Sequence, residues 1–425
     1  MIFNPHRHAR PRFRAGALLL GAFFALAPLS GTASHAAGGA VSDEEWSPTG
    51  PYPSQKVYYP GTEALDPDEI RLITCGSGMP MMRLSQTAAC FLIELGNGDK
   101  FIFDLGNGSL QRIHALGIPL DYIDKVFLTH LHMDHAGDLA AFYMTGPQSN
   151  RSVPIRVWGP GGGGSPERWG TQAFVDNMLE SWAWMIDTLA GTIDTRSFSV
   201  DVTEYDWSAV NQVIYEENGV VIRSIPAIHL EQSASLILEW NGLTIAYSGD
   251  TMPNKWWVEH TRGADVAIHE AFFPPALAIQ KWGFSPQEAL NAVTKVHSNA
   301  QFFGKVMAMT EPRLGIAYHF QNDADTLPVM ISEVSKVYDG PIDYAQDFMV
   351  WNITKEDIRM RRVVPNPETY PAPPLAEKVI ESEDPYVTPQ WVLDGWLEET
   401  NEIAAQIYDE FNKANGTDYE FTLGK

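Results

Sequence analysis

Cysteine is nearly absent: the 425 residues contain two, Cys75 and Cys90. With no second soft ligand near either, they read as neither nucleophile nor metal ligand. They lie at the facing ends of two predicted strands, so in an oxidising compartment they could pair; two buried thiols fit the sequence equally well. Positive charge is also scarce, with 29 Lys and Arg against 53 Asp and Glu and a net charge of −24. A field of that sign repels phosphate backbones and anionic membrane surfaces, so the sequence predicts a small-molecule substrate and no nucleic acid. Beyond the N-terminal region no apolar run approaches membrane-spanning length. The four glycines Gly161–Gly164 invite a phosphate-loop reading, but no Lys-Ser/Thr follows, which leaves a flexible turn. What remains is an ordinary apolar content of 44%, ample for a real core in one large domain or two smaller ones.

The N-terminus stands apart. Arg7, Arg10, Arg12 and Arg14 precede an apolar run over 15–27 that is too short for a stable anchor, and small residues follow to Ala37. This is the pattern of a secretory signal peptide over 1–36, cleaved near Ala36, and it predicts a periplasmic or secreted protein with no stable membrane anchor. Residues 37–68, rich in Pro, Gly and Ser, read as an irregular leader. A catalytic domain is expected over 69–363. Residues 364–425 read as a Pro- and acid-rich linker, then a helical extension that Thr388 caps and that runs to about Asn412. Strand patterns cover 69–74, 90–95, 100–104, 125–129 and 154–158. Helical patterns cover 138–144, roughly 166–190, 285–296 and 299–310.

The chemistry lies in the run Thr129-His-Leu-His-Met-Asp-His-Ala-Gly137. A divalent metal at a catalytic site needs several imidazoles and carboxylates converging on one point. His130 and His132, two apart on an extended backbone, point the same way. Asp134 and His135 then lie at the turn into a helix, so one metal can take the first pair and a second metal the other. Other apolar strands end in the same residue types. The run over 220–228 ends at His229, 243–249 at Asp250, 264–268 at His269-Glu270, and 314–318 at His319. Core packing would scatter the histidines; sites in strand-built α/β domains gather at strand ends.

With these motifs in view, the chain resembles the metallo-β-lactamase superfamily, whose hallmark is the His-X-His-X-Asp-His run. It is similar in particular to the branch holding ribonuclease Z and the metal-dependent arylsulfatases, and to secreted members associated with guanitoxin biosynthesis. The supporting segments are 74–80, 103–108, the histidine run, 225–229, Tyr247-Ser-Gly-Asp-Thr251, His269-Glu-Ala271, His297-Ser298 and Tyr318-His319. The resemblance implies a four-layer αβ/βα sandwich. It implies that His130, His132 and His229 hold one metal, that Asp134, His135 and His319 hold a second, and that Asp250 bridges them. Zinc suits these donors, with manganese or iron as alternatives. The resemblance also places His269 beside the substrate as a proton donor oriented by Glu270, so that His269, Glu270 and Asp134 are the expected catalytic groups. Asp104 and Thr129 are expected to fix imidazole tautomers. His297 reads as a group at the rim or as a surface histidine at a helix start.

Two metals close together supply hydroxide near neutral pH and stabilise a developing oxyanion. The expected function is therefore hydrolysis of a small sulfate, phosphate or carboxylic ester. A lactonase is the alternative within this chemistry, and a metal-holding protein without turnover is the alternative outside it. Trp182, Trp184, Trp256 and Trp257 read either as walls of an aryl pocket or as core.

Overall fold

The computed structural model describes residues 56–149, 151–189, 194–373 and 388–422. The expected signal peptide, most of the leader and part of the expected linker lie outside these residues.

Among the described residues sixteen strands form two sheets. They are β1 (Val57–Tyr58), β2 (Ile70–Gly76), β3 (Cys90–Leu95), β4 (Lys100–Phe103), β5 (Lys125–Phe127), β6 (Ile155–Gly161), β7 (Val200–Asp206), β8 (Gln212–Glu217), β9 (Val220–Pro226), β10 (Ala234–Trp240), β11 (Leu243–Tyr247), β12 (Val266–Glu270), β13 (Leu314–Tyr318), β14 (Ile342–Tyr344), β15 (Met349–Ile353) and β16 (Ile358–Val363). The nine-stranded sheet runs β1-β16-β15-β2-β3-β4-β5-β6-β7, and the seven-stranded sheet runs β14-β13-β12-β11-β10-β9-β8.

Period-two alternation sends one set of side chains from each strand between the sheets and the other set outward. Leu72, Phe91, Ile93 and Phe103 of one sheet meet Leu236, Leu238, Ile245 and Ile268 of the other in a single buried cluster. The outward set of the larger sheet, including Leu92, Ile102 and Val126, packs with Ile113, Phe142 and Met178 from helices. The outward set of the smaller sheet, including Ile237, Ala246 and Ala267, packs with Trp257, Phe303 and Met330. Helices thus cover both outer faces, giving the expected four-layer αβ/βα sandwich. Each large buried side chain contributes about 1.5–3 kcal/mol of transfer free energy.

Cys75 and Cys90 face outward from neighbouring strands, with Cα atoms 5.0 Å apart, and they form a disulfide. The open choice between bridge and free thiols is thereby decided.

Three elements differ from expectation. Part of the leader is not irregular: β1 pairs in parallel with β16, Val57 opposite Arg362. Two residues are too short to carry a periodic signal. The helix expected over 166–190 is two helices, Thr171–Ser181 and Ala183–Leu189, divided at Trp182. The C-terminal helix is likewise two, Gln390–Gly395 and Asn401–Asn415, broken after Gly395. Among the described residues no helix is long and apolar enough to cross a membrane.

Candidate metal centre

The site follows from strand direction. β11, β12 and β13 are parallel neighbours, so the residues after them emerge at one edge of their sheet. β4 and β5 are parallel neighbours in the other sheet, and Asp104 and Thr129–His130 follow them. The two edges face each other. Asp250 then meets the histidine run across the intersheet layer. Two close approaches make this possible. Gly249, at φ +58°, passes so near Thr129 that a Cβ there would lie 2.7 Å from the threonine Cβ. A Cβ on Gly106 would lie 2.1 Å from the Asp134 carbonyl oxygen.

All seven expected ligand residues come together, in two groups that share Asp250. His130, His132, His229 and Asp250 place one donor atom each within 4.8 Å of one another, and so do Asp134, His135, Asp250 and His319. Their tautomers are set from outside the clusters. Asp104, at φ +56°, accepts from the Thr129 amide at 2.7 Å, the Thr129 hydroxyl and the Tyr247 hydroxyl at 2.8 Å, and His135 Nδ1 at 2.7 Å. His229 Nδ1 donates to the Val296 carbonyl at 3.0 Å. The Nε2 lone pairs of His135 and His229 therefore point inward. His130 Nε2 lies 3.0 Å from His132 Nδ1, and His229 Nε2 lies 3.3 Å from the same atom. Either a proton on His132 Nδ1 or a cation among the three nitrogens is needed to hold them at such separations.

The second group shows the same need. His135 Nε2 and Asp250 Oδ1 are buried 3.1 Å apart, with no hydrogen-bond partner outside the group. Neutral imidazoles and carboxylates around unsatisfied buried atoms fit a divalent cation. Burial is the largest influence on His130, and with the neighbouring His135 it holds this imidazole well below its usual range; burial lowers His229 to about 4. Both are thus neutral donors at neutral pH. Burial opposes the charge on Asp250, but His319 and His135 outweigh it and keep the carboxylate ionised.

The expected acid needs correction. His269 does not reach the site. Alternation along β12 sends Val266, Ile268 and Glu270 one way and Ala267 and His269 the other. His269 is fully buried under the helices, edge-on to Trp257 at 5.0 Å and 6.2 Å from Phe303. Its Nδ1 bonds to the Glu270 carbonyl at 2.8 Å, and burial lowers it to about 4. A neutral ring sealed among apolar groups cannot deliver a proton to a substrate.

Glu270 does face the site, and its partner is His297. Glu270 Oε2 lies 3.0 Å from His297 Nδ1, while Oε1 accepts from the Thr251 amide. Phe272 stacks on the His297 ring at 4.8 Å, and that ring lies 4.9 Å from His229 and 5.4 Å from His319. Burial opposes a charge on His297, but the Glu270 carboxylate, with Asp250 and Asp134, raises it to about 9. His297 also does not start a helix. It follows the helical turn Ala292–Val296, just before Asn299 caps Ala300–Thr310. Strand alternation in the sequence says that only one of His269 and Glu270 can face the site; which one does, and that His297 meets it, follows from packing.

Comparison with known proteins agrees with this geometry. Residues 86–163 match the model of the metallo-beta-lactamase superfamily. A ribonuclease Z from Mycobacterium marinum is 27% identical over 254 residues, covering 58% of this chain and 83% of that protein. A ribonuclease Z from Mycolicibacterium gilvum is 28% identical over 207 residues, covering 47% and 68%. The crystal structure of the metallo-beta-lactamase fold protein YhfI from Bacillus subtilis superimposes with a TM-score of 0.50 at 15% identity, covering 67% of this chain and 100% of that one. That likeness concerns the fold alone.

The fold and the donor set define a metal-dependent hydrolase. More specifically, the chain carries a metallo-β-lactamase superfamily domain. One expectation is overturned here. Nucleic acid was excluded on net charge, yet these relatives are named for action on RNA. Whole-chain charge does not describe the field inside a cleft, where bound cations are the largest local charges.

Proposed function

We propose that the seven residues of the two donor groups hold two divalent cations, zinc foremost, and that the enzyme hydrolyses a small ester, a phosphate ester ahead of a sulfate or carboxylic ester. The observation that carries this reading is the Glu270–His297 pair set directly against two donor groups that share Asp250. Bound divalent cations lower the pKa of water and neutralise charge that develops on an ester oxygen.

The chain's own groups supply the rest. Asp104 and the Val296 carbonyl hold His135 and His229 in the ligating tautomer. Glu270 holds a proton on His297 Nδ1, which leaves Nε2–H free to donate. As the oxygen of water bonds to phosphorus, the ester P–O bond breaks, His297 Nε2 protonates the departing oxygen, and the proton the water gives up passes through solvent to restore His297. Phe272 keeps the ring in plane for that transfer. No side-chain nucleophile takes part. A second reading, an RNA phosphodiester as substrate, is favoured by the names of the relatives.

We also propose that the protein works outside the cytoplasm, with a signal peptide over 1–36, a catalytic domain over 69–363 and an extension over 364–425. The disulfide and the basic, then apolar N-terminus support this placement.

The test is a panel of aryl phosphate mono- and diesters, an aryl sulfate, an aryl carboxylate, a lactone and a short RNA, each with and without chelator, alongside mass analysis of bound metal. Chelator-sensitive turnover of a small phosphate ester is expected. Turnover of RNA alone would move the assignment to the second reading. No chelator-sensitive turnover of any substrate would refute the hydrolytic reading.

A further inference from the structure

A cavity of about 800 Å³ opens on one side of the donor groups, within the size range of small-molecule sites. His130 and His132 form its inner end. One wall comes from the segment between β6 and β7, with Trp169, Phe174, Met178 and Trp182; Leu230, just past His229, faces them. Most of this surface is apolar, and folding does not account for it. Trp182 stays 41% exposed and Leu230 53% exposed, although both belong to types that cores normally absorb. The break between the helices Thr171–Ser181 and Ala183–Leu189 falls at Trp182 itself. Trp184 is 79% exposed and Trp257 is core, so of the four tryptophans marked in the sequence only Trp182 lines this cavity.

Glu270, His297 and His319 take no part in the cavity wall. An ester lying across the donor groups therefore has two unlike sides. One substituent lies on the side of the Glu270–His297 pair and, on the proposed reading, departs. The other extends past His130 and His132 into the cavity.

We infer that this cavity is the subsite for the retained substituent of the substrate, and that this substituent is apolar and flat, an aryl group of one or two rings. The inference rests on the ester-hydrolase reading and adds to it which half of the substrate is recognised. An indole, a benzyl ring and a thioether around a water-exposed pocket favour a planar apolar guest. An aryl group in this cavity would also bury apolar surface that is now exposed to water.

Phosphonate monoesters test the inference, because their P–C bond survives hydrolysis and so fixes which group is retained. The metal-loaded enzyme is compared on 4-nitrophenyl phenylphosphonate and 4-nitrophenyl methylphosphonate. Binding of phenylphosphonate and methylphosphonate themselves is measured by calorimetry. The phenyl compound is expected to lead by at least about tenfold in both kcat/KM and affinity. Trp182→Ala and, from the opposite wall, Leu230→Ser should each narrow that ratio, with melting curves checking that both variants fold. Turnover of both esters with equal kcat/KM and equal affinities would overturn the subsite while leaving the hydrolase reading intact. A phenyl preference untouched in both variants would overturn it too. If neither ester reacts and neither phosphonate binds, the phosphoester reading fails and the subsite falls with it.

Discussion

His132 is the most exposed of the seven donor residues, yet its Nδ1 is the atom toward which His130 Nε2 and His229 Nε2 both point. Removing it should release the cation of that group and leave the fold in place. His132→Ala is expected to retain at most one cation per chain after dialysis, read by mass analysis, and to lose at least about a hundredfold in rate. Two equivalents of bound metal in this variant would refute the assignment. The two histidines near Glu270 should separate cleanly. His297→Ala is expected to lower kcat about 10²–10⁴-fold on esters with an alkoxide leaving group, and much less on 4-nitrophenyl esters, whose leaving group needs no proton. His269→Ala should instead cost about 2–4 kcal/mol of stability by opening a void against Trp257 and Phe303, with the rate per folded molecule little changed. The reverse pattern, a rate defect at 269 and none at 297, would restore His269 as the acid.

Among the elements, β2 and β3 bear most directly on stability. They stand in the middle of the larger sheet, their residues are buried throughout, and the disulfide closes the chain between them over a separation of 15 residues. A loop of that length corresponds to about 3 kcal/mol of stabilisation through the unfolded chain. The double variant Cys75→Ala/Cys90→Ala should lose a comparable amount in a denaturant titration, and a reducing agent should do the same to the parent protein. Unchanged stability in both would mean that the bridge does not form in solution. The strand beside them, β4, is followed by Asp104, whose carboxylate ties Thr129, His135 and Tyr247 together across the two sheets. The pairing of these sheets and the tautomer of a candidate ligand thus depend on one residue, which is why Asp104 sits in left-handed backbone despite its side chain.

For the whole molecule, the donor groups concentrate ionisable side chains in the space between two sheets. Without cations, protonated His135 and His297 offset Asp250, Asp134 and Glu270. The folded value of His297, about 9, lies above its ordinary 6.5. Its stabilising contribution is therefore complete below about 6.5 and lost as pH rises through about 9; His135 is shifted in the same direction. Bound cations take over that role from the ligand His135, which is then neutral, while Glu270 still holds the proton on His297. Chelated protein should accordingly lose thermal stability between about pH 6.5 and pH 9, on the order of 2–4 °C for each kcal/mol, while metal-loaded protein, in which His135 no longer titrates, loses less. Parallel melting curves across that range would show that these histidines do not titrate as described.

Sequence by itself determined the class of chemistry. The spacing of His130, His132, Asp134 and His135, and the recurrence of His229, Asp250 and His319 after apolar strands, are local features. A strand end projects its next residue to the sheet edge whatever surrounds it, so these positions were legible without coordinates. The alternation that buries the strands was legible for the same reason. Tertiary structure alone decided what depends on two elements meeting. Glu270 faces the site and His269 does not because Trp257 and Phe303 pack on the far side of β12. His297 becomes the partner of Glu270 from 27 residues away because Phe272 and the turn before Asn299 bring it there. The cysteines form a bridge because β2 and β3 align them at 5.0 Å, and Trp182 lines a cavity because its helix breaks beside His130. Pairings of this kind are set by packing between distant segments, and no period in the chain encodes which residue will lie opposite.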